Sequence, residues 1–147
     1  NNFLIPEKIF RTHLFDESIK GYGYEDLLYA FELKKANIKI LHIDNPVIHS
    51  GLEINTDFIR KTENAINNLA ILYKSGKIPA TRLTKKYEQL SKYNLLSSFN
   101  WSYRKLNEKI KANLLSDDPS ITYFNIWKLK LFIDKMHLHP KKRENET

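Results

Sequence analysis

The sequence predicts an α+β chain that is mainly α-helical. After about residue 56, apolar residues recur every three or four positions in four successive stretches, which is typical of helices. Earlier, residues 38–43 alternate in the way that is typical of a short, mostly buried strand. The charge also changes: residues 1–55 hold six basic and eight acidic residues, and the remainder hold eighteen and nine. We therefore predict a first segment over residues 1–55, a helical extension over 56–140 and a flexible tail over 141–147.

The amino-acid composition limits which kinds of protein and functional site are possible. With 147 residues, 41% of them hydrophobic and 12% aromatic, the chain is long and apolar enough to bury a core. The lack of cysteine excludes disulfides, thiolate metal sites and thiol nucleophiles, and it fits a reducing cytoplasm. No apolar run approaches the roughly 18 to 20 residues that span a bilayer. Because the sequence does not begin with Met, we expect a piece of a longer protein.

Two helices are predicted in the first segment. Pro6 suits the first turn of a brief helix over residues 7–12, because a proline there needs no amide partner. A second helix is predicted from Tyr24, with an apolar face that gives way to polar residues near Asn37. Two acidic residues, Glu25 and Asp26, would then lie in its first turn.

Short strands are predicted around these helices. Residues 2–5 and 38–43 are the two candidates, and Asn45-Pro46 breaks the second. His49 would stand where a brief extension ends and a loop begins. Strands without neighbours have exposed edges, so we expect self-association into a homo-oligomer.

Four helices are predicted in the extension. Ser75-Gly76 is a stop signal for the first, and Asp118-Pro119 is interpreted as a cap followed by the first residue of the last. The apolar residues that mark these four helices span residues 58–73, 83–90, 95–114 and 121–132.

The residues that suggest chemistry lie in the first segment: Phe15-Asp16-Glu17, then Gly21-Tyr22-Gly23-Tyr24-Glu25-Asp26, then His49. Carboxylates at a helix start stay ionised because unpaired amides and the helix dipole favour negative charge there. An ionised carboxylate can accept a proton from an attacking hydroxyl. Glycines let a loop approach a ligand closely, and tyrosines can stack on sugar rings.

A simpler interpretation exists for each part. Glu25-Asp26 is also ordinary helix capping, and for an isolated acidic pair capping is the commoner role. A lone His49 is more often a hydrogen-bonded structural residue than a metal ligand. The order and spacing of these motifs along the chain indicate a function more specifically than any single motif does.

Residues 1–53 resemble the C-terminal half of the catalytic domain of family 2 glycosyltransferases and the related galactosyltransferase C-terminal module. The resemblance rests on the Phe-Asp-Glu turn, the Gly-aromatic-Gly-x-Glu-Asp loop that opens a helix, Leu33, the strand at 38–43 and the late His49. It implies the acceptor-side half of a nucleotide-diphospho-sugar transferase fold of the GT-A type. It also implies transfer of a hexose, with inversion, from a nucleotide-sugar donor to a saccharide acceptor in bacterial polysaccharide assembly.

The resemblance assigns roles to particular residues. Asp26 would be the base that deprotonates the acceptor hydroxyl, and Glu25 would bind acceptor hydroxyls beside it. Tyr22, Gly23, Tyr24 and Asp16 would contact substrate, Tyr22 standing where the family often has Trp. His49 would help to coordinate Mn²⁺ or Mg²⁺ at the departing diphosphate, with His42 as a second choice.

One part of the family pattern is missing. The family's donor site lies in an N-terminal half that carries an Asp-x-Asp motif, and that motif does not occur in these residues. We therefore expect the N-terminal half to be missing from this sequence and the isolated chain to be inactive.

The basic extension admits three interpretations. The first is an ordinary solvated helical surface, and the second is adhesion to an anionic membrane surface at the inner face, for which residues 127–135 are the candidate stretch. The third is a basic helical module for nucleic acid. The sequence speaks against the third, because it lacks a recognised nucleic-acid motif and its cations are mostly Lys. A pure interaction module is a further option, but it would assign no role to the loop Gly21-Tyr22-Gly23-Tyr24-Glu25-Asp26.

Overall fold

A computed structural model describes residues 3–48, 51 and 53–137, and these residues form six α-helices in two compact units. The first unit, Asn1–Pro79, contains α1 (Glu7–Thr12), α2 (Glu25–Lys35) and α3 (Asn55–Lys74). The second unit, Ala80–Thr147, contains α4 (Arg82–Lys92), α5 (Leu96–Leu114) and α6 (Ile121–His137). The prediction of a mainly helical chain is confirmed. In the structure, α3 belongs to the same unit as the glycine loop, residues 21–24, whereas the sequence pattern places α3 in the helical extension.

The predicted strands are not formed among the described residues. Residues 3–5 and 38–43 have no regular secondary structure, and Asn2 lies outside the described part. A strand is stable only when a neighbouring strand binds its amides and carbonyls, and the described residues supply no such neighbour. The alternating side chains are accordingly exposed; Leu41 is 75% and Ile43 71% accessible.

Helix ends in the first unit follow the local sequence. Gly76, at φ 66°, ends α3: its amide donates to Tyr73 and that of Lys77 to Leu72, the Schellman pattern. Asn37, at φ 56°, ends α2 in the same way, with the Ile38 amide bound to Leu33. Both stops are therefore confirmed where the sequence predicted them.

Helices α2 and α3 supply most of the buried apolar residues of the first unit. Tyr29 in α2 donates its hydroxyl to the His13 carbonyl at 3.0 Å, and its ring stacks on Phe15 at 4.2 Å between centroids. These two contacts hold the chain before the glycine loop against α2. The buried apolar residues of the helices are Leu28, Tyr29, Leu33, Ile66, Leu69, Ala70 and Leu72.

The second unit is organised around α6, which packs against both α4 and α5. Phe132 and Ile133 are fully buried, and Tyr87 of α4 meets the Phe132 ring edge-on at 5.4 Å. Thr81 and Thr84 form a reciprocal capping box at the start of α4.

The predicted start of the last helix is wrong by two residues. α6 begins at Ile121, and Pro119 lies outside it. The Ser120 amide donates to the Asn113 side chain at 2.8 Å, and the Ser120 carbonyl accepts the first helical bond from Phe124. A side chain of the preceding helix therefore binds the residue just before α6, and Asp118 lies two residues before that position.

Candidate functional site

The glycine loop of residues 21–24 has an unusual backbone. Gly21, Gly23 and Tyr24 have φ values of 80°, 106° and 72°, all in the left-handed region. Left-handed backbone costs a residue other than glycine about 1–2 kcal/mol, so the conformation at Tyr24 must be held by surrounding contacts. The turn ends as Tyr24 accepts the first helical bond of α2 from Leu28, at 3.0 Å.

Glu25 and Asp26 lie in the first turn of α2, as predicted. The Glu25 carboxylate accepts a hydrogen bond from the Gly23 amide at 2.7 Å through Oε2, which closes the loop on itself. The Asp26 carboxylate accepts from the Leu27 amide at 2.7 Å through Oδ1. Both residues are partly exposed, and a backbone amide binds each of the two carboxylates.

Helix α3 supports the loop from behind. The side-chain amide of Asn68 lies 3.2 Å from the carbonyl oxygens of Lys20 and Tyr22 and 3.3 Å from that of Gly23, and donates to all three. Gly23 also touches Ala65: a Cβ built at Gly23 would lie 2.4 Å from the Ala65 Cβ. The loop and α3 are thus in direct backbone contact.

Asp16 lies in an ion pair at the edge of the same unit. Its carboxylate accepts from Lys77 Nζ at 2.8 Å and from the Ser18 amide at 2.9 Å. The Lys77 hydrogen bond, with help from Ser18, lowers the pKa of Asp16 to about 2. This arrangement joins the loop that precedes residue 21 to the residues that follow α3.

The two tyrosines of the loop differ in accessibility. Tyr22 is 57% exposed, so solvent reaches its ring. Lys61 Nζ lies 5.6 Å from the centroid of that ring. Tyr24 is half-buried. Burial raises the pKa of its hydroxyl, and the nearby Asp26 carboxylate raises it further. The Tyr24 hydroxyl is therefore neutral.

The expected metal ligand lies outside the described residues. His49 is one of the residues whose placement the structure does not describe, and His42 is exposed. Within the described ranges, no three His, Asp or Glu side chains come together as a metal site.

Several residues of the site were not foreseen from the sequence: Lys61, Ala65, Asn68 and Lys77. Asn68 carried one local signal, since it is a polar residue on the stripe of α3 that buries Ile66, Leu69 and Leu72. A polar residue in such a position usually has a buried partner. The sequence does not show what that partner is.

The stretch singled out for membrane adhesion faces inward in large part. Trp127 is buried, and burial lowers the pKa of Lys128. Lys130 is paired with Asp134. The accessible tryptophan of this unit is instead Trp101 on α5, 55% exposed, with Lys105 Nζ 3.7 Å from its ring centroid.

Comparison with known proteins adds no family: no protein-family model, no curated protein and no solved structure matches this chain. Among the helices that the structure describes, none combines the length and apolar character that crossing a bilayer requires.

Proposed function

We propose that this chain is the acceptor-side part of an inverting glycosyltransferase that moves a sugar from a nucleotide-diphospho-sugar to a saccharide. The observation that carries the proposal is the glycine loop, which sets two carboxylates in the first turn of α2 beside an exposed tyrosine. Plain helix capping would not require three left-handed residues within four positions or a dedicated support from α3. The family resemblance of residues 1–53 points in the same direction.

In the proposed reaction, Asp26 accepts the proton of an acceptor hydroxyl as that oxygen attacks the anomeric carbon. The bond to the nucleoside diphosphate breaks on the opposite side, so the configuration inverts. Glu25 is oriented through Oε2 by the Gly23 amide and binds a second acceptor hydroxyl through Oε1. Tyr22 supplies the face on which the acceptor sugar stacks.

The donor is assigned to a longer protein. This sequence lacks an Asp-x-Asp motif, so the nucleotide and most ligands of a divalent ion belong, in this proposal, to an N-terminal half. The apolar side chains around residues 40–48 support the idea of a covering partner, because Ile40, Leu41, Ile43 and Val47 are each at least 45% exposed. Several exposed large apolar side chains within one short segment are typical of an interface. Self-association of the chain would cover the same surface.

A transfer assay tests the proposal. The longest polypeptide that carries this sequence is identified by intact mass and incubated with UDP- and GDP-hexoses, MnCl₂ and a panel of free oligosaccharides. We expect nucleoside diphosphate release that rises with acceptor and a product of inverted anomeric configuration by NMR. If that polypeptide releases no nucleoside diphosphate from any donor, or yields retained configuration, the proposal is wrong.

A second function is favoured by the surface of α5. Residues 80–147 contain fourteen basic and seven acidic residues, whereas residues 1–79 contain ten of each. The excess positive charge therefore lies entirely in the second unit, where exposed Trp101 and Lys105 form a pair suited to a membrane interface. We propose that this unit adheres to anionic membranes.

Vesicle sedimentation tests the adhesion. The chain is expected to bind phosphatidylserine-containing vesicles and to be released by salt, while Trp101→Ala weakens binding several-fold. Tyr93→Ala, which removes another exposed aromatic ring of this unit, is the matched control and should bind as before. Equal binding to neutral vesicles, or none to anionic ones, would contradict the adhesion; preferential retention by an RNA or DNA oligonucleotide would favour nucleic acid instead.

A further inference from the structure

The glycine loop depends on contacts from a distant part of the sequence. Asn68 lies 45 to 48 positions after the three carbonyls that it binds, and it is 6% exposed. Its amide has two N–H groups, which are shared among the carbonyls of Lys20, Tyr22 and Gly23. Those carbonyls belong to the segment whose backbone is left-handed at Gly21 and Gly23.

The same contacts lead to the carboxylates. Gly23 is bound on both sides of its backbone: its carbonyl accepts from Asn68, and its amide donates to Glu25. Ala65 closes the space behind Gly23, so the loop cannot approach α3 further. A shift of Asn68 would therefore be transmitted through one residue to Glu25 and to the start of α2, where Asp26 lies.

We infer that Asn68 is a positioning residue for the proposed site, fixing the loop in the conformation that presents Glu25 and Asp26 to an acceptor. The inference rests on the proposed function for its catalytic consequence. Its structural part, that Asn68 orders the loop, stands on the hydrogen bonds alone. Asn68 itself is not assigned a contact with substrate, because it is buried behind the loop.

Hydrogen exchange on the 147-residue chain tests the structural part. The Gly23 amide, bound to Glu25, should exchange slowly in the wild type and at least tenfold faster in Asn68→Ala, while the Ile66 amide in the core of α3 changes less than threefold. Asn64→Ala is the matched control, because Asn64 is an exposed asparagine one turn earlier on the same helix. If Asn68→Ala does not fold, Asn68→Ser, which retains one donor, replaces it. Unchanged exchange at Gly23 would overturn the inference.

Transfer kinetics on the active polypeptide test the catalytic part. Asn68→Ala should raise the acceptor KM at least fivefold and leave the donor KM within twofold of the wild type. A purely structural role would reduce the folded fraction, which lowers kcat and leaves both KM values unchanged; that result would overturn the positioning role. Absence of transfer by the wild type would defeat the proposed function instead, while the exchange result at Gly23 would still decide whether Asn68 orders the loop.

Discussion

Replacing Gly23 by alanine tests the close contact between the loop and α3. A Cβ at this position would lie 2.4 Å from the Ala65 Cβ and 2.8 Å from its Cα, and the second of these is backbone that cannot rotate away. The φ value of 106° adds strain for any L-residue, about 1–3 kcal/mol. Overpacking adds about 1–3 kcal/mol. We therefore expect Gly23→Ala to reduce the free energy of unfolding by about 2–6 kcal/mol.

Urea denaturation followed by circular dichroism measures this change, and the chain supplies a control that separates the two causes. Gly21 also has positive φ, at 80°, but a Cβ added there would meet nothing within 4 Å, so Gly21→Ala should show only the strain. Adding Ala65→Gly to Gly23→Ala should recover the part of the lost stability that the overlap causes, because the Ala65 Cβ, one of the two clashing atoms, is removed. If Gly23→Ala and Gly21→Ala destabilise the chain equally, within about 0.5 kcal/mol, the close contact with Ala65 does not exist.

Two further predictions concern Asp16 and Tyr22. Because its folded pKa of about 2 lies below the ordinary value of 3.8, Asp16 stabilises the fold above pH 3.8, and this contribution is lost as the pH falls through about 2. The pair is partly exposed, so the contribution is about 1 kcal/mol or less; Lys77→Met should flatten the fall in stability between pH 4 and 2 in urea titrations, and an unchanged slope would contradict the pairing. In transfer assays, Tyr22→Ala should raise the acceptor KM several-fold and Tyr22→Trp should not; equal loss in both would argue against stacking.

The sequence predicted the helices because their signals are local. The Gly76 and Asn37 stops act through residues within one turn, and apolar spacing alone located α3 and α5 to within two residues. The start of α6 was misplaced because the Asn113 side chain, seven residues away, binds the Ser120 amide in place of a local cap.

The prediction of a strand at residues 38–43 was wrong for a different reason. Alternation indicates which side chains would share a face, but a strand also requires a neighbour, and the described residues contain none. The hydrogen bonds that support the glycine loop could not be predicted from the sequence either, since Asn68 and Tyr22 are brought together only by the folded chain. The carboxylates of the candidate site were visible in the sequence, whereas Asn68, which binds the loop beside them, was not.

Whether Asp26 is the base is tested by comparing Asp26→Asn with the wild type in sugar transfer by the polypeptide that carries this sequence. Asparagine has the same shape and keeps the oxygen that accepts from Leu27, so the start of α2 is preserved while the base is removed. We expect kcat to fall by about 10²–10⁴-fold with donor Kd within twofold of the wild type, and the matched variant Asp57→Asn, in the first turn of α3, to retain full activity. An Asp26→Asn variant that transfers sugar at the wild-type rate, or that loses donor affinity in proportion to its rate, would contradict the assignment of Asp26 as the base.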